Sequence, residues 1–204
     1  MRIYMIGSGA MGGVYGGLLA GAGYDVTLID SREDHIHKIQ TEGLTVEGMR
    51  GTHVVRVAAQ RDETGLAPGD LAIIFTDANA TGEAAKLATK LLKPDGFALT
   101  LQNGIGNVET LVAALGKQRV IAGVSMNSAA NPATGRSVYT NVGMTSIGEL
   151  DGASTQRVKQ VADMLNNAGI PTEIIPDPMN WIWGKFVLNC GINALTAITG
   201  LRSG

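Results

Sequence analysis

Residues 2–30 read RIYMIGSGAMGGVYGGLLAGAGYDVTLID, and this stretch decides the fold. Arg2–Ile6 is a short apolar run suited to a buried parallel strand. It leads directly into Gly7-Ser8-Gly9-Ala10-Met11-Gly12, a GxGxxG pattern. A helix-like stretch of small and apolar residues follows to about Ala22, Gly23 ends it, and Tyr24–Asp30 (YDVTLID) reads as the second strand. A glycine pattern alone is weak evidence. Strand, glycine turn, helix, strand and acid in that order supply the context of a dinucleotide-binding unit. Gly7 permits the tight turn, Gly9 lets the backbone approach a pyrophosphate, and Gly12 allows the helix to pack closely on the strand. The whole turn, Gly7, Ser8, Gly9, Ala10, Met11 and Gly12, is therefore assigned to cofactor binding, with the exposed N–H groups of the helix start meeting the phosphates. Asp30 stands where an acid accepts hydrogen bonds from the adenosine ribose hydroxyls, which argues for NAD(H). Ser31 and Arg32 follow at once and are suited to a 2′-phosphate, which keeps NADP(H) open.

Working outward, Ser31–Gly43 reads as a helix. Short strand-like pieces follow at Leu44–Val46 and His53–Val57, separated by Gly48 and Gly51. Asp70–Thr76 is a buried strand, and Gly82–Leu92 a helix stopped by Pro94. Phe97–Leu101 is a strand running into Gln102-Asn103-Gly104. Asn107–Leu115 is a helix and Val120–Met126 a further strand. This alternation predicts an α/β doubly wound, mostly parallel sheet. The pattern then changes. Ser137–Thr140 and Met144–Ile147 suggest paired strands across an Asn-Val-Gly turn, followed by a helix at Ser154–Ala168 and a short strand at Thr172–Ile175. Pro176-Asp177-Pro178 marks a boundary between a dinucleotide-binding domain, 1–176, and the start of an all-helical second domain, 177–204.

Trp181–Ile198 (WIWGKFVLNCGINALTAI) is the most apolar stretch, yet Lys185, Asn189 and Asn193 recur in it at intervals of four. Helical spacing puts them on one face. In a buried setting an unpaired amide costs about 1–3 kcal/mol and an ammonium more, so protein or ligand has to satisfy this stripe.

A hydrophobic content of 45%, a charged content of 17% and 28 glycines describe a folded α/β protein with many turns. The net charge of −2 gives no reason to expect nucleic acid or a membrane surface as partner. A lone cysteine excludes an internal disulfide, and no Cys/His cluster has metal-binding spacing. The opening residues do not form a signal peptide, no uncharged run reaches the length of a membrane span, and a cytoplasmic enzyme domain is expected. His35, His37 and His53 fall in surface-like segments and are expected to be solvated, as are Asp95, Glu149, Arg157 and Lys159. Trp181 and Trp183 are expected in a core or domain interface, and Cys190 to be a buried small residue.

Together these residues resemble the ketopantoate reductase (2-dehydropantoate 2-reductase) family, through GSGAMG at 7–12, LQNGIGN at 101–107, GVSMNSAANPATG at 123–135, SIGE at 146–149 and WGKFVLNCGINALTAI at 183–198. The resemblance implies a Rossmann-type fold and NADPH-dependent reduction of ketopantoate to pantoate, on the way to pantothenate and coenzyme A. It favours NADP(H) and implies Lys185 as general acid, Asn103 near the nicotinamide ribose and substrate, and Asn189 and Asn193 as substrate-binding amides. Two features depart from the family. Asp77 follows DLAIIFT where the family commonly has a lysine, and family members run to about three hundred residues, with a helical second domain. The chain then stands as the first domain plus the first helix of a truncated second one, with the Trp181–Ile198 helix a candidate homodimer contact. The alternatives are a catalytically weak or inactive dinucleotide-binding module, or a related dehydrogenase of another small 2-keto acid.

Overall fold

A computed structural model describes residues 1–48 and 51–201. The elements in chain order are β1 (Arg2–Ile6), α1 (Ala10–Gly21), β2 (Asp25–Ile29), α2 (Glu33–Glu42), β3 (Leu44–Gly48), β4 (Gly51–Val55), β5 (Ala58–Gln60), β6 (Gly69–Ile74), α3 (Thr81–Leu91), β7 (Leu92–Thr100), α4 (Asn107–Leu115), β8 (Val120–Ser125), β9 (Ser128–Ala133), β10 (Arg136–Asn141), β11 (Thr145–Glu149), α5 (Gln156–Asn167), β12 (Thr172–Ile174) and α6 (Pro178–Thr199). The main sheet runs β12-β11-β8-β7-β6-β1-β2-β5. From β5 across to β8 every pair is parallel, β11 is antiparallel to β8, and β12 is parallel to β11. Strands covered on both faces are apolar throughout rather than alternating. Ile3–Ile6, Leu71–Ile74 and Val120–Ser125 accordingly have no exposed member. The strand order reverses between β1 and β6, the place where open α/β sheets bind ligands.

A second, four-stranded sheet, β4-β3-β10-β9, lies over α1. This arrangement explains the glycines of that helix. A Cβ on Gly12 or Gly16 would collide with the main-sheet side, at 1.8 Å from the Gly7 carbonyl oxygen and 2.4 Å from Leu28. One on Gly13 or Gly17 would collide with the second sheet, at 2.0 Å from Ser137 Oγ and 2.4 Å from Val46. Two i, i+4 glycine pairs thus let one helix lie close to both layers.

Three expectations are corrected here. Ser137–Thr140 and Met144–Ile147 do not pair across the Asn-Val-Gly turn: β10 pairs with β9 and β3 in the second sheet, and β11 with β8 and β12 in the main one. The turn is a crossing between layers, and the buried Tyr139 belongs to the face over α1. Pro94 lies inside β7 rather than ending a helix, because α3 closes at Leu91. Most of α6 is uncovered.

That helix begins with Pro178 at its first position and an Asp177 cap that accepts from the Asn180 N–H at 3.0 Å. Pro178 and Ile182 are buried and dock the first turns against β8 and β11. Beyond Phe186, Val187, Leu188, Ile192, Leu195 and Ile198 are exposed, as are Trp181, Trp183 and Cys190. Of the two places expected for Trp181 and Trp183, a core or a domain interface, the core is ruled out, and so is the buried place expected for Cys190, since nothing among the described residues covers that face. Residues 202–204 of the expected second domain lie outside the described residues.

Candidate active site

A cleft of about 800 Å³ opens along the carboxyl ends of β1, β2, β6, β7 and β8. At its floor Gly7 takes φ +90°, with its backbone so near Phe75 and Thr76 that a Cβ would come within 2.8 Å of the Thr76 nitrogen. Gly9 has open space where a side chain would be, with only the Arg32 guanidinium 4.0 Å away. The first N–H groups of α1 have no intrahelical partner, and no side chain caps them. Such a bare helix start suits a phosphate. Beside it, Asp30 accepts from the Ser8 N–H (2.9 Å) and Oγ (3.2 Å), from the Arg32 N–H (3.1 Å), and from Arg32 Nε (2.9 Å) and Nη2 (3.0 Å). Burial would raise its pKa, but the Arg32 hydrogen bonds and charge, with the Ser8 N–H, outweigh that and hold the carboxyl below the usual range. Ser31, Arg32 and Arg61 also line this end of the cleft.

At the opposite end stands Lys185, half-buried, at the point where α6 leaves the domain. Its ammonium donates to the Ser125 carbonyl at 2.5 Å, and burial pushes its pKa down. It also borders a smaller hollow of about 340 Å³, shared with Val124, Met126, Asn180, Trp181 and Leu188. Behind Ser125 lies a buried polar cluster. Asn127 Nδ2 donates to Tyr15 Oη (2.9 Å), Ser125 Oγ (2.8 Å) and Thr145 Oγ1 (3.0 Å), while its Oδ1 accepts from the Tyr139 hydroxyl and the Gly143 N–H. The carbonyl that holds Lys185 thus belongs to a residue fixed from three elements. The Asn103 loop is fixed as firmly. Gln102 Nε2 donates to the Thr76 carbonyl (2.8 Å) and Thr81 Oγ1 (2.9 Å). Thr81 donates on to Asn107, which in turn donates to the Asn103 carbonyl. Gly104, at φ +90°, makes the turn after it.

The sequence profile described as "Ketopantoate reductase PanE/ApbA" matches residues 3–152, about three quarters of the chain. The chain belongs to the ketopantoate reductase family. The 2-dehydropantoate 2-reductase of Pyrococcus horikoshii is 36% identical over 204 residues, covering 100% of this chain and 66% of that protein. The crystal structure of 2-dehydropantoate 2-reductase from Geobacter metallireducens superposes with a TM-score of 0.90 at 30% identity, over 97% of this chain and 65% of that one. D-mandelate dehydrogenase in its ternary structure with NADH and anilino(oxo)acetate gives 0.91 at 25% identity, over 99% of this chain and 65% of that one. The ketopantoate reductase-type chain described here therefore spans about two thirds of the length of these relatives.

Of the cofactor residues expected from sequence, Gly7, Gly9, Ala10, Met11, Asp30, Ser31, Arg32 and Asn103 line the cleft, together with Lys185. Ser8 and Gly12 do not: Ser8 is fully buried behind the turn, and Gly12 packs against Gly7. Asn189 and Asn193 are not brought to the cleft. Asn189 is half-buried one turn beyond Lys185, and Asn193 is exposed a turn further on. Asp77 does line the cleft, with Glu83, so the charge reversal noted in the sequence faces the ligand space. Sequence reasoning assigned nothing to Thr76, Gln102, Ser125, Asn127, Asn131 or Arg61, all of which also line it. The position of Thr76 at the end of a buried strand beside the switch point was the available signal. Arg61, past the short edge strand β5, had none. Two further corrections concern groups expected in solvent. His35 is wholly buried, and Glu149 is buried in an ion pair with Arg157.

Proposed function

We propose that this chain carries the nucleotide-binding half of a reductase that converts 2-dehydropantoate to pantoate with NADPH, with Lys185 as the general acid, in the cytoplasmic supply of pantothenate and coenzyme A. The observation that carries this reading is the Lys185 ammonium, half-buried at the far end of a cleft that begins at the glycine turn. The reduced nicotinamide, when bound, supplies a hydride. The alkoxide left at the former keto carbon needs a proton and a nearby positive charge, and Lys185 offers both. One of its three N–H bonds is held by the Ser125 carbonyl, which aims the others. Lowering its pKa by burial makes the ammonium a better proton donor. Asn103, at the cleft wall, is the proposed partner of the substrate beside Lys185. Asn189 and Asn193 lie further along α6, outside the cleft, and their proposed contacts with the substrate's hydroxyl and carboxylate rest on the family resemblance.

Ser31, Arg32 and Arg61 support NADP(H). Asp30 is already saturated by five donors, which makes it a poor ribose acceptor while Arg32 stays in place. A second reading is favoured by the likeness to D-mandelate dehydrogenase with NADH. In it the same machinery reduces another 2-keto acid with NADH. The uncovered apolar face of α6 supports 177–204 as the start of a helical second domain, separate from 1–176, and offers a contact for a second copy. No helix among the described residues is long and apolar enough to cross a membrane.

The test is ketopantoate-dependent oxidation of NADPH by the purified chain, with NADH and a panel of 2-keto acids in parallel. Turnover with ketopantoate and NADPH is the expected result. Turnover confined to other acids with NADH supports the second reading. Nucleotide binding without any turnover sinks both and leaves a binding module.

A further inference from the structure

His35 lies in the first turn of α2, with no solvent exposure, between the glycine turn and the β9–β10 hairpin. The Gly135 N–H donates to its Nδ1 at 3.0 Å, so that nitrogen carries no proton. The proton is on Nε2, 2.9 Å from the Ser8 carbonyl, to which it donates. The hairpin touches the cofactor end at two more points. Ser137 Oγ approaches the Gly9 carbonyl at 3.4 Å, and Asn131 Oδ1 accepts from Arg32 Nη1 at 3.3 Å. The second sheet therefore splints the glycine turn from behind, and the imidazole is the strut between them.

We infer that His35 is a positioning residue for the dinucleotide-binding turn that works only as a neutral imidazole, so that protonating it loosens nucleotide binding. This rests on the dinucleotide reading given above. An imidazolium has two N–H groups and no acceptor, and it would confront the Gly135 N–H with a second donor. Burial and the adjacent Arg32 charge both hold the imidazole's pKa below its ordinary value. Asp30 at the end of β2 and Asp34 on α2 act in the other direction without prevailing. On the hairpin side the charged neighbours of Gly135 are paired elsewhere, Lys38 with Glu42 and Arg136 with Glu47. Histidine is the side-chain type whose reference pKa falls between pH 5 and 8.

The experiment is NADPH titration by fluorescence on the whole chain from pH 5 to 8 at fixed salt, for wild type, His35→Gln and His35→Phe. Glutamine offers a donor and an acceptor but does not titrate. Wild type should lose affinity about threefold to tenfold on acidification beyond the change seen for His35→Gln, the equivalent of one neutral hydrogen bond. Titration of the nucleotide's own phosphate is common to both proteins and cancels. His35→Gln should bind within about twofold of wild type at pH 7.5, whereas His35→Phe should already be weak there. Parallel pH profiles for wild type and His35→Gln, or weak binding by a folded His35→Gln at pH 7.5, would overturn the inference while leaving the cofactor reading intact. Failure of wild type to bind any dinucleotide at pH 7.5 would remove the cofactor reading and this one with it. Should His35→Phe not fold, the comparison of wild type with glutamine decides alone.

Discussion

Replacing Arg32 by alanine should move the affinities for NADPH and NADH in opposite directions. In the structure the guanidinium spends two donors on Asp30, and its side chain is 41% exposed while that of Asp30 is 9% exposed. Removing it does two things. It strips a unit positive charge from the place proposed for a 2′-phosphate, and it leaves the Asp30 carboxylate facing that phosphate uncompensated. At about 5 Å in a half-solvated setting of effective dielectric between about 40 and 80, one unit charge is worth roughly 0.8–1.7 kcal/mol. Against a phosphate of charge near −2, the loss is about 1.5–3 kcal/mol, or roughly tenfold to a hundredfold in Kd. NADH carries no such phosphate. For it the substitution frees carboxylate lone pairs for the ribose hydroxyls, so its affinity should hold or improve by a few fold. Fluorescence titration of both nucleotides at low salt measures this, and raising the salt should shrink the NADPH effect. If both nucleotides weakened equally, or NADH lost more, the cap on Asp30 would not be the determinant described here.

Lys185→Met should abolish most keto-acid turnover while leaving nucleotide Kd within about twofold, as read by steady-state rates and titration. Because burial lowers the Lys185 pKa and its ammonium is the proposed acid, the wild-type rate should fall as pH rises through a value below the ordinary lysine 10.5, and a pH–rate profile locates that limb. Gly17→Ala puts a methyl 2.4 Å from Val46 and should destabilise by about 1–3 kcal/mol in urea. Gly82→Ala, with nothing within 4 Å, should be neutral or stabilising by up to about 1 kcal/mol, and shifts of the same sign would contradict the packing described for α1. Glu149→Ala leaves Arg157 without its partner in a largely buried pair, and denaturant unfolding should show a loss of about 3 kcal/mol.

Most of the nucleotide-binding half of the fold was legible because its longer strands and helices announce themselves locally, whereas the three-residue edge strand β5 was not. A continuous apolar run such as Leu71–Ile74 and a stop such as Gly43 need no knowledge of distant partners. The second sheet was not legible, since it joins residues 44–55 to residues 128–141 through the parallel pair β3–β10. That pairing is nonlocal, and two short strands separated by a crossing turn read more naturally as a hairpin. With the sheet hidden, the reason for Gly13 and Gly17 was hidden too. His35 did leave a trace: His35, Ile36 and Ile39 share the buried face of α2, a helical stripe that counts the histidine among core residues. Glu149 left little, because every residue of β11 is buried and no alternation marks which face holds the charge. Lys185 stood out because an ammonium in an apolar helix asks for an explanation. Asn189 and Asn193 follow from the same spacing but not to the same place, because the helix has left the domain by then.

The docking of α6 by its first turns only, through Pro178, Met179 and Ile182 and the Lys185 bond to Ser125, has a mechanical consequence. A rod clamped at one end pivots there, and Lys185 lies beside the clamp. The fourteen residues from Phe186 to Thr199 extend about 21 Å further. A tilt of about 10° would sweep the tip through roughly 3.7 Å while carrying the ammonium less than about 1 Å. The Lys185 ammonium, the proposed proton donor, therefore travels with the nucleotide-binding body, and whatever grips the far end of the rod can swing without moving it out of line. Spin labels on Leu195 and on the rigid sheet would register that sweep, with a label near Lys185 as the still point.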